Sequence, residues 1–239
     1  MIIIVTGTNT DVGKTIATAA LACQYRDAGY GVEVVKPAQT GDDSDIRDIE
    51  KLSGVAGREY AHYPEPLAPN IAARRAGMPQ LELHATAERI RHLDAEDTVV
   101  LVEGAGGLLV RMADTWTLAD LAVELAAPLI VVTSTGLGSL NLAELTVMAA
   151  RARGITVLGL IGGSLPTNPD LATRLNLTEF PVVTGVPLLG CLPENCGDCP
   201  PEHFKLIAQQ ITLPRSGQGQ HLWARLAGTY TISPDRTHL

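Results

Sequence analysis

Ile2-Ile3-Ile4-Val5-Thr6, followed by Gly7-Thr8-Asn9-Thr10-Asp11-Val12-Gly13-Lys14-Thr15, is the stretch that decides the fold. The first five residues read as a strand, the next nine as a Gly-bounded loop, and Ile16 to Ala28 as a helix. The backbone N–H groups of such a loop point inward and cradle phosphate oxygens, and the helix start adds positive potential. In that setting Lys14 reaches the outer phosphates of a nucleoside triphosphate, and the Thr15 hydroxyl ligates Mg²⁺. The spacing is unusual. Five residues, not four, separate Gly7 from Gly13, and Thr8 stands where a first Gly is expected.

Composition agrees with that start. A chain of 239 residues suits one α/β domain. It is 46% apolar but only 4% aromatic, so its core must be built from Val, Ile, Leu and Ala. Such a core fits a parallel sheet buried on both faces. With a net charge of -8 and a pI near 5.2, the chain lacks the basic footprint of a nucleic-acid binder. Of four lysines (Lys14, Lys36, Lys51, Lys205), two fall in the motifs discussed here. The N-terminal apolar run is short, lacks a basic flank and runs into the loop, unlike a secretory signal. No stretch reaches the roughly 18 uncharged apolar residues of a membrane span. Asp120 and Glu124 interrupt the most apolar region. The expectation is a cytoplasmic protein with no membrane partner.

Strand-like and helix-like segments then alternate. Strands are expected at Val32–Val35, Thr98–Val102, Leu129–Thr133, Thr156–Ile161 and near Val186–Leu189. Helices are expected at Asp45–Leu52, Leu83–Leu93, Leu118–Leu125, Leu140–Arg153 and Glu202–Ile211. Alternation implies parallel strands with right-handed crossovers, and ligands bound beyond the carboxyl ends of the strands. The expected architecture is therefore α/β: a single-domain P-loop NTPase-type fold, mostly parallel sheet flanked by helices, over residues 1–211. Residues 212–239 read as a weakly structured tail.

Several motifs sit at the expected strand ends. Val99-Val100-Leu101-Val102-Glu103 is an apolar strand ending in an acid, followed by Gly104-Ala105-Gly106-Gly107. That is the pattern in which a carboxylate holds Mg²⁺. Lys36-Pro37-Ala38-Gln39-Thr40-Gly41 places a second lysine in the ligand crevice. In Asp42-Asp43-Ser44-Asp45 one acid can complete a metal site with Thr15 and Glu103; Asp45 is preferred, with Asp42 and Asp43 in competition. Gly136-Leu137-Gly138-Ser139-Leu140-Asn141 opens a helix whose N–H groups can bind a carboxylate, or where Ser139 is simply the cap. Cys191, Cys196, Cys199 and His203 offer three thiolates and an imidazole, but the spacing is irregular for zinc, and reduced thiols in a loop are the competing reading. The six histidines are scattered and read as surface or incidental groups.

Taken in order, these motifs resemble the dethiobiotin synthetase family over about residues 1–211. The phosphate loop, Lys36-Pro37-x-x-Thr40-Gly41, Ser44-Asp45, Pro66-Leu67-Ala68-Pro69-Asn70-Ile71-Ala72, Val102-Glu103-Gly104-Ala105-Gly106-Gly107 and Gly138-x-Leu140-Asn141 all match. The resemblance implies ATP-dependent closure of a cyclic urea from 7,8-diaminononanoate and CO₂ or bicarbonate, through a carbamate and a carbamic-phosphoric anhydride. It implies catalytic roles for Lys14, Lys36 and Thr10. It implies nucleotide contacts from Asn9, Thr10, Asp11, Val12, Gly13, Lys14, Thr15, Ile16, Glu103, Gly163, Pro193 and Glu194. Substrate contacts fall to Thr10, Lys14, Lys36, Thr40, Gly106, Gly107, Ser139, Leu140 and Asn141, and Mg²⁺ to Thr15, Asp45 and Glu103. The family works as a homodimer, with the diamine's carboxylate tail at the partner's Ser139-Leu140-Asn141 helix start.

Two other classes fit less well. Partition and septum-positioning ATPases carry an extra Lys early in the phosphate loop, where Thr8, Asn9 and Thr10 stand here. A related amide-forming enzyme of cobalamin synthesis carries a glutaminase-like domain for which this chain has no room.

One departure from the family concerns the base. Many members place an Asn-Asp pair after the strand equivalent to Leu158–Ile161, and the Asn reads adenine; here the residues are Gly162-Gly163-Ser164. Weak base discrimination is the expected result. Initial rates with ATP, CTP and GTP should be of similar size, and a strong preference for ATP would contradict this.

Overall fold

The computed structural model describes residues 1–214. In chain order the elements are β1 (Ile2–Gly7), α1 (Lys14–Asp27), β2 (Gly31–Thr40), α2 (Asp45–Ser53), β3 (Gly57–Tyr63), α3 (Pro69–Ala76) and α4 (Leu83–Arg91). There follow β4 (Thr98–Gly107), β5 (Arg111–Ala113), β6 (Trp116–Thr117), α5 (Leu118–Glu124), β7 (Leu129–Thr133), α6 (Ser139–Arg151), β8 (Val157–Leu165), α7 (Leu171–Thr184), β9 (Leu188–Pro193), a 3-10 turn at Cys196–Asp198, and α8 (Pro201–Ala208).

Seven strands form one parallel sheet in the order β3-β2-β4-β1-β7-β8-β9, with β5 and β6 a separate antiparallel pair. The apolar run of β1 is continuous because both its faces are covered. Ile2 and Ile4 pack among α3, α4, α5, α6 and α7. Ile3 and Val5 pack among α1, α2 and α8. β1 lies at the centre, between β4 and β7. The loop after β1 therefore opens beyond the carboxyl edge of the sheet, beside the ends of β4 and β2.

Two expected strand ends needed correction. β2 does not stop at Val35; it continues through Lys36 and Pro37 to Thr40. Its pairing with β4 ends at Val35, and beyond that point β2 pairs only with β3. Pro37, which has no N–H, lies past the end of the β4 ladder, where a donor is no longer needed. β4 likewise runs on through its glycines to Gly107. Strand β3, the β5–β6 pair and helices α3 and α7 were not expected from sequence. Of the expected tail, Thr212 is tied back to β9, its N–H donating to Leu189 O at 2.8 Å; residues 215–239 lie outside the described residues. Among the described residues, no helix is long and apolar enough to cross a membrane.

Leu101 shows the packing demand on the central strands. It is fully buried in β4, between layers of helices. Leu101→Ala should lower unfolding free energy by about 2–5 kcal/mol, seen as a lower urea midpoint at unchanged slope. A loss under about 1 kcal/mol would show that the core closes round the gap instead.

Candidate active site

The phosphate loop is shaped by backbone, not by side-chain caps. Gly13 precedes α1 at φ +88°, a left-handed conformation in which glycine is unstrained. No side chain caps the helix and its first turn carries no acid, so its N–H groups are left to a ligand. Asp11 also has positive φ, at +56°. Neighbouring glycines let other strands close on the loop. A Cβ on Gly163 of β8 would lie 1.8 Å from Val12 O, and one on Gly13 would lie 2.5 Å from Gly163 O. Gly163 is therefore a backbone support for the loop. On the other side, a Cβ on Gly107 would stand 3.5 Å from Gly7 O. Gly106, at φ +66°, lies beside Thr10 and Val110.

Inside this frame the expected metal and phosphate residues converge. Thr15 Oγ1 donates to Asp45 Oδ1 at 3.0 Å or to Glu103 Oε1 at 3.1 Å. Lys36 Nζ donates to Glu103 Oε1 at 2.9 Å and to Gly104 O at 3.0 Å, and it pairs with Asp45. Lys14 Nζ donates to Asn9 O at 3.1 Å. Lys14, Lys36 and Glu103 are all buried. Asp45 thus lies against Thr15 and Lys36, while Asp42 and Asp43 are exposed.

The charges are tightly balanced. Burial pushes the Glu103 carboxyl up, against the pull of Lys36. Burial works against Asp45 as well, but Lys36, Thr15 and Glu103 more than offset it and hold its carboxyl below the usual range. Burial also opposes the charge of Lys36, and Glu103 and Asp45 outweigh it, so its ammonium is favoured. Lys14 is lowered by burial and then by Lys36. Two carboxylates thus share one lysine. Glu103 Oε2 is buried with no hydrogen-bond partner. An orphaned carboxylate oxygen beside a second carboxylate and a hydroxyl is a donor set suited to a hard divalent cation. The residues present therefore fit Mg²⁺.

Other expected residues occupy the periphery. Ile16 lies against the 3-10 turn, where a Cβ on Gly197 would be 2.7 Å from Ile16 Cδ1. Pro193 ends β9, and Glu194 binds the end of β8, its N–H donating to Leu165 O and its Oε1 accepting from Thr167 N. Thr40 closes β2 and is half-buried. Ser139 is not the helix cap; Gly138 takes that position, at φ +90°. The Ser139 hydroxyl is buried and engaged, donating to Gly136 O at 2.6 Å and accepting from Asn176 Nδ2 at 3.2 Å. Asn176 also donates to Thr135 O and Gly136 O, so it holds the 135–139 turn. It lies on α7, which the sequence pattern did not reveal. Asn141 is exposed and Leu140 half-buried. A groove of about 370 Å³ runs between Thr8, Asn9, Gly107–Val110 and α6. The cysteines do not form a metal site: among the described residues no three His, Cys, Asp or Glu side chains are gathered for one.

This fold and loop define a P-loop nucleotide-binding protein. Solved structures agree on the fold: the cell division ATPase MinD of Pyrococcus furiosus has a TM-score of 0.50 at 18% identity, covering 95% of this chain and 96% of that one. A ParA family ATPase of Chlorobium tepidum has a TM-score of 0.51 at 14% identity, covering 95% and 98%. A family model described as an AAA domain matches residues 2–197. The ATP-dependent dethiobiotin synthetase BioD of Corynebacterium diphtheriae is 57% identical over 216 residues, 89% of this chain and 97% of that protein. The protein of the same name from Saccharopolyspora erythraea is 51% identical over 221 residues, 90% of this chain and 97% of that protein. The chain belongs to the ATP-dependent dethiobiotin synthetase family.

Close approach at Gly163 gives a direct test. Gly163→Ala should displace the Val12–Gly13 loop and weaken binding of a triphosphate by at least about tenfold, roughly 1.4 kcal/mol, in titration calorimetry. Gly136→Ala serves as the control, since its Cβ would meet nothing nearer than Thr173 at 4.0 Å. Equal affinities in the two variants would contradict the packing role.

Proposed function

We propose that this protein is an ATP-dependent dethiobiotin synthetase of biotin biosynthesis. It closes a cyclic urea from 7,8-diaminononanoate and CO₂, converting ATP to ADP and phosphate. The observation that carries the reading is the convergence of Lys14, Lys36, Thr15, Asp45 and Glu103 at the carboxyl edge of the sheet, in a member of this family.

One amine of the substrate takes up CO₂ as a carbamate. Lys36 and Lys14 stabilise that anion, and Thr10, over Gly106, orients it. The carbamate oxygen attacks the γ-phosphorus of ATP, and ADP leaves. Lys14 and the loop N–H groups of Asn9–Thr15 balance charge as it moves to the β-phosphate. The second amine then attacks the carbamic-phosphoric anhydride carbonyl, expelling phosphate and closing the ring. A Mg²⁺ held by Thr15, Asp45 and Glu103 neutralises phosphate charge when bound. Burial lowers the Lys14 pKa, so desolvation primes this cation to gain most from an arriving triphosphate.

The same reading includes a homodimer. Leu109, Leu145 and Met148 expose apolar surface around the groove beside Thr8 and Asn9, and Leu137 is 92% exposed just before α6. A partner covering this face would bring its Ser139–Asn141 helix start to the substrate's carboxylate. Free cysteines at all four positions suit a cytoplasmic enzyme. With Gly163 holding the loop and no side chain offered there to a base, ATP is accepted alongside other triphosphates.

Phosphate release from Mg-ATP and bicarbonate should depend on added 7,8-diaminononanoate and be matched by dethiobiotin detected by mass. Hydrolysis indifferent to the diamine would point to a switch ATPase instead. Lys14→Ala, whose ammonium hydrogen-bonds only to Asn9 O among the described residues, should keep the fold and reduce product formation by about 10²–10³-fold.

A further inference from the structure

His62 lies on the edge strand β3, and both its ring nitrogens are engaged. Nδ1 is 3.1 Å from Glu59 Oε2, and Nε2 is 2.8 Å from the Gly41 carbonyl oxygen. A carboxylate and a carbonyl only accept, so the ring donates to both only as the imidazolium. The other oxygen of Glu59 accepts from Ser44 Oγ at 3.0 Å. Ser44 caps α2, its Oγ accepting from Arg47 N. The next residue is Asp45. Gly41 is tied to β3 a second time, its N–H donating to Tyr63 O at 3.0 Å. The segment Gly41–Ser44 is therefore pinned at both ends to β3.

The pinning matters because of where Asp45 comes from. Thr15 and Glu103 are fixed by α1 and β4. Asp45 instead follows a short irregular segment carrying two exposed acids, Asp42 and Asp43. We propose that Glu59 and His62 form a clasp that positions Asp45 for the divalent cation. They are positioning residues and touch neither metal nor substrate. The proposal rests on Asp45 being a Mg²⁺ ligand, as given above.

The charged groups facing His62 are Glu59 on its own strand and Asp42 on the pinned segment. The Gly41 and Glu59 hydrogen bonds hold the imidazole pKa above its ordinary value of 6.5. The clasp is closed at and below the ordinary imidazole range, and it opens as pH rises through the raised value.

Mn²⁺ serves as the probe, its free signal read by electron paramagnetic resonance in the presence of a non-hydrolysable ATP analogue, at about pH 6 and about pH 8.5. Wild-type affinity should fall at the higher pH. His62→Gln and Glu59→Gln should bind Mn²⁺ roughly two- to tenfold more weakly at the lower pH, the span of one lost hydrogen bond, and lose the pH dependence. His62→Arg, which keeps a cation at both values, should hold the tighter affinity at both. In proton NMR the wild-type His62 ring should titrate above 6.5 and shift down in Glu59→Gln. Wild-type affinity and pH slope in both His62→Gln and Glu59→Gln, with Mn²⁺ lost in Asp45→Asn, would overturn the clasp alone. Unchanged Mn²⁺ affinity in Asp45→Asn would overturn the metal reading beneath it. If circular dichroism shows His62→Gln unfolded, Glu59→Gln decides.

Discussion

Glu103 is a carboxylate with no exposure to solvent, inside the central strand β4 where its apolar run gives way to glycines. Burial of such a group is costly unless cations and donors surround it. The sheet order supplies them: β4 lies between β2, which brings Lys36, and β1, whose loop leads into Thr15. Asp45 enters from α2 and takes the other side of Lys36. One lysine is shared by two carboxylates, and one oxygen of Glu103 is left without a partner. That oxygen is the one polar atom of the cluster left without a partner among the described residues. A phosphate loop, two buried lysines and two carboxylates meet at one edge because the strand order sets β1, β4 and β2 side by side.

Close backbone packing is the second constraint, and it explains a residue choice that looks like a loss. Where the family resemblance leads one to expect a side chain for the base, this chain has Gly163, and any Cβ there would collide with Val12 O. The position holds the shape of the phosphate loop. Gly106, at positive φ and with a Cβ that would press on Val110, plays the matching part on the β4 side, beside Thr10.

Much of this was legible in the sequence, for identifiable reasons. β1, the loop, β7 and the helices after them are set by local signals: a continuous apolar run, glycines at a positive φ, a helix-compatible stretch. Thr15 and Asp45 were legible because they sit in the first turns of α1 and α2, and Lys36 and Glu103 because each directly follows an apolar strand run, although β2 and β4 then continue to Thr40 and Gly107. Other parts depend on partners distant in sequence. β3 reads Gly-Arg-Glu-Tyr-Ala-His-Tyr, a half-exposed edge strand whose identity comes from pairing with β2. α7 carries Pro181 in its interior, which argues locally against a helix, so Asn176 and its grip on the Ser139 turn went unseen. Pro37 argued for a strand end because nothing local says that the β4 ladder has already finished. His62 gave no motif, since its partners Gly41 and Glu59 meet it only through the register of β3 on β2.

The central claim is that Thr15, Asp45 and Glu103 hold one divalent cation against the phosphates of a bound triphosphate. A crystal structure with Mn²⁺ and a non-hydrolysable ATP analogue tests it through the anomalous signal of the metal. The account predicts a peak at coordination distance, about 2.1 Å or one bridging water away, from Thr15 Oγ1 and the two carboxylates. A peak held by phosphate oxygens alone, with Asp45 and Glu103 still locked on Lys36, would contradict it.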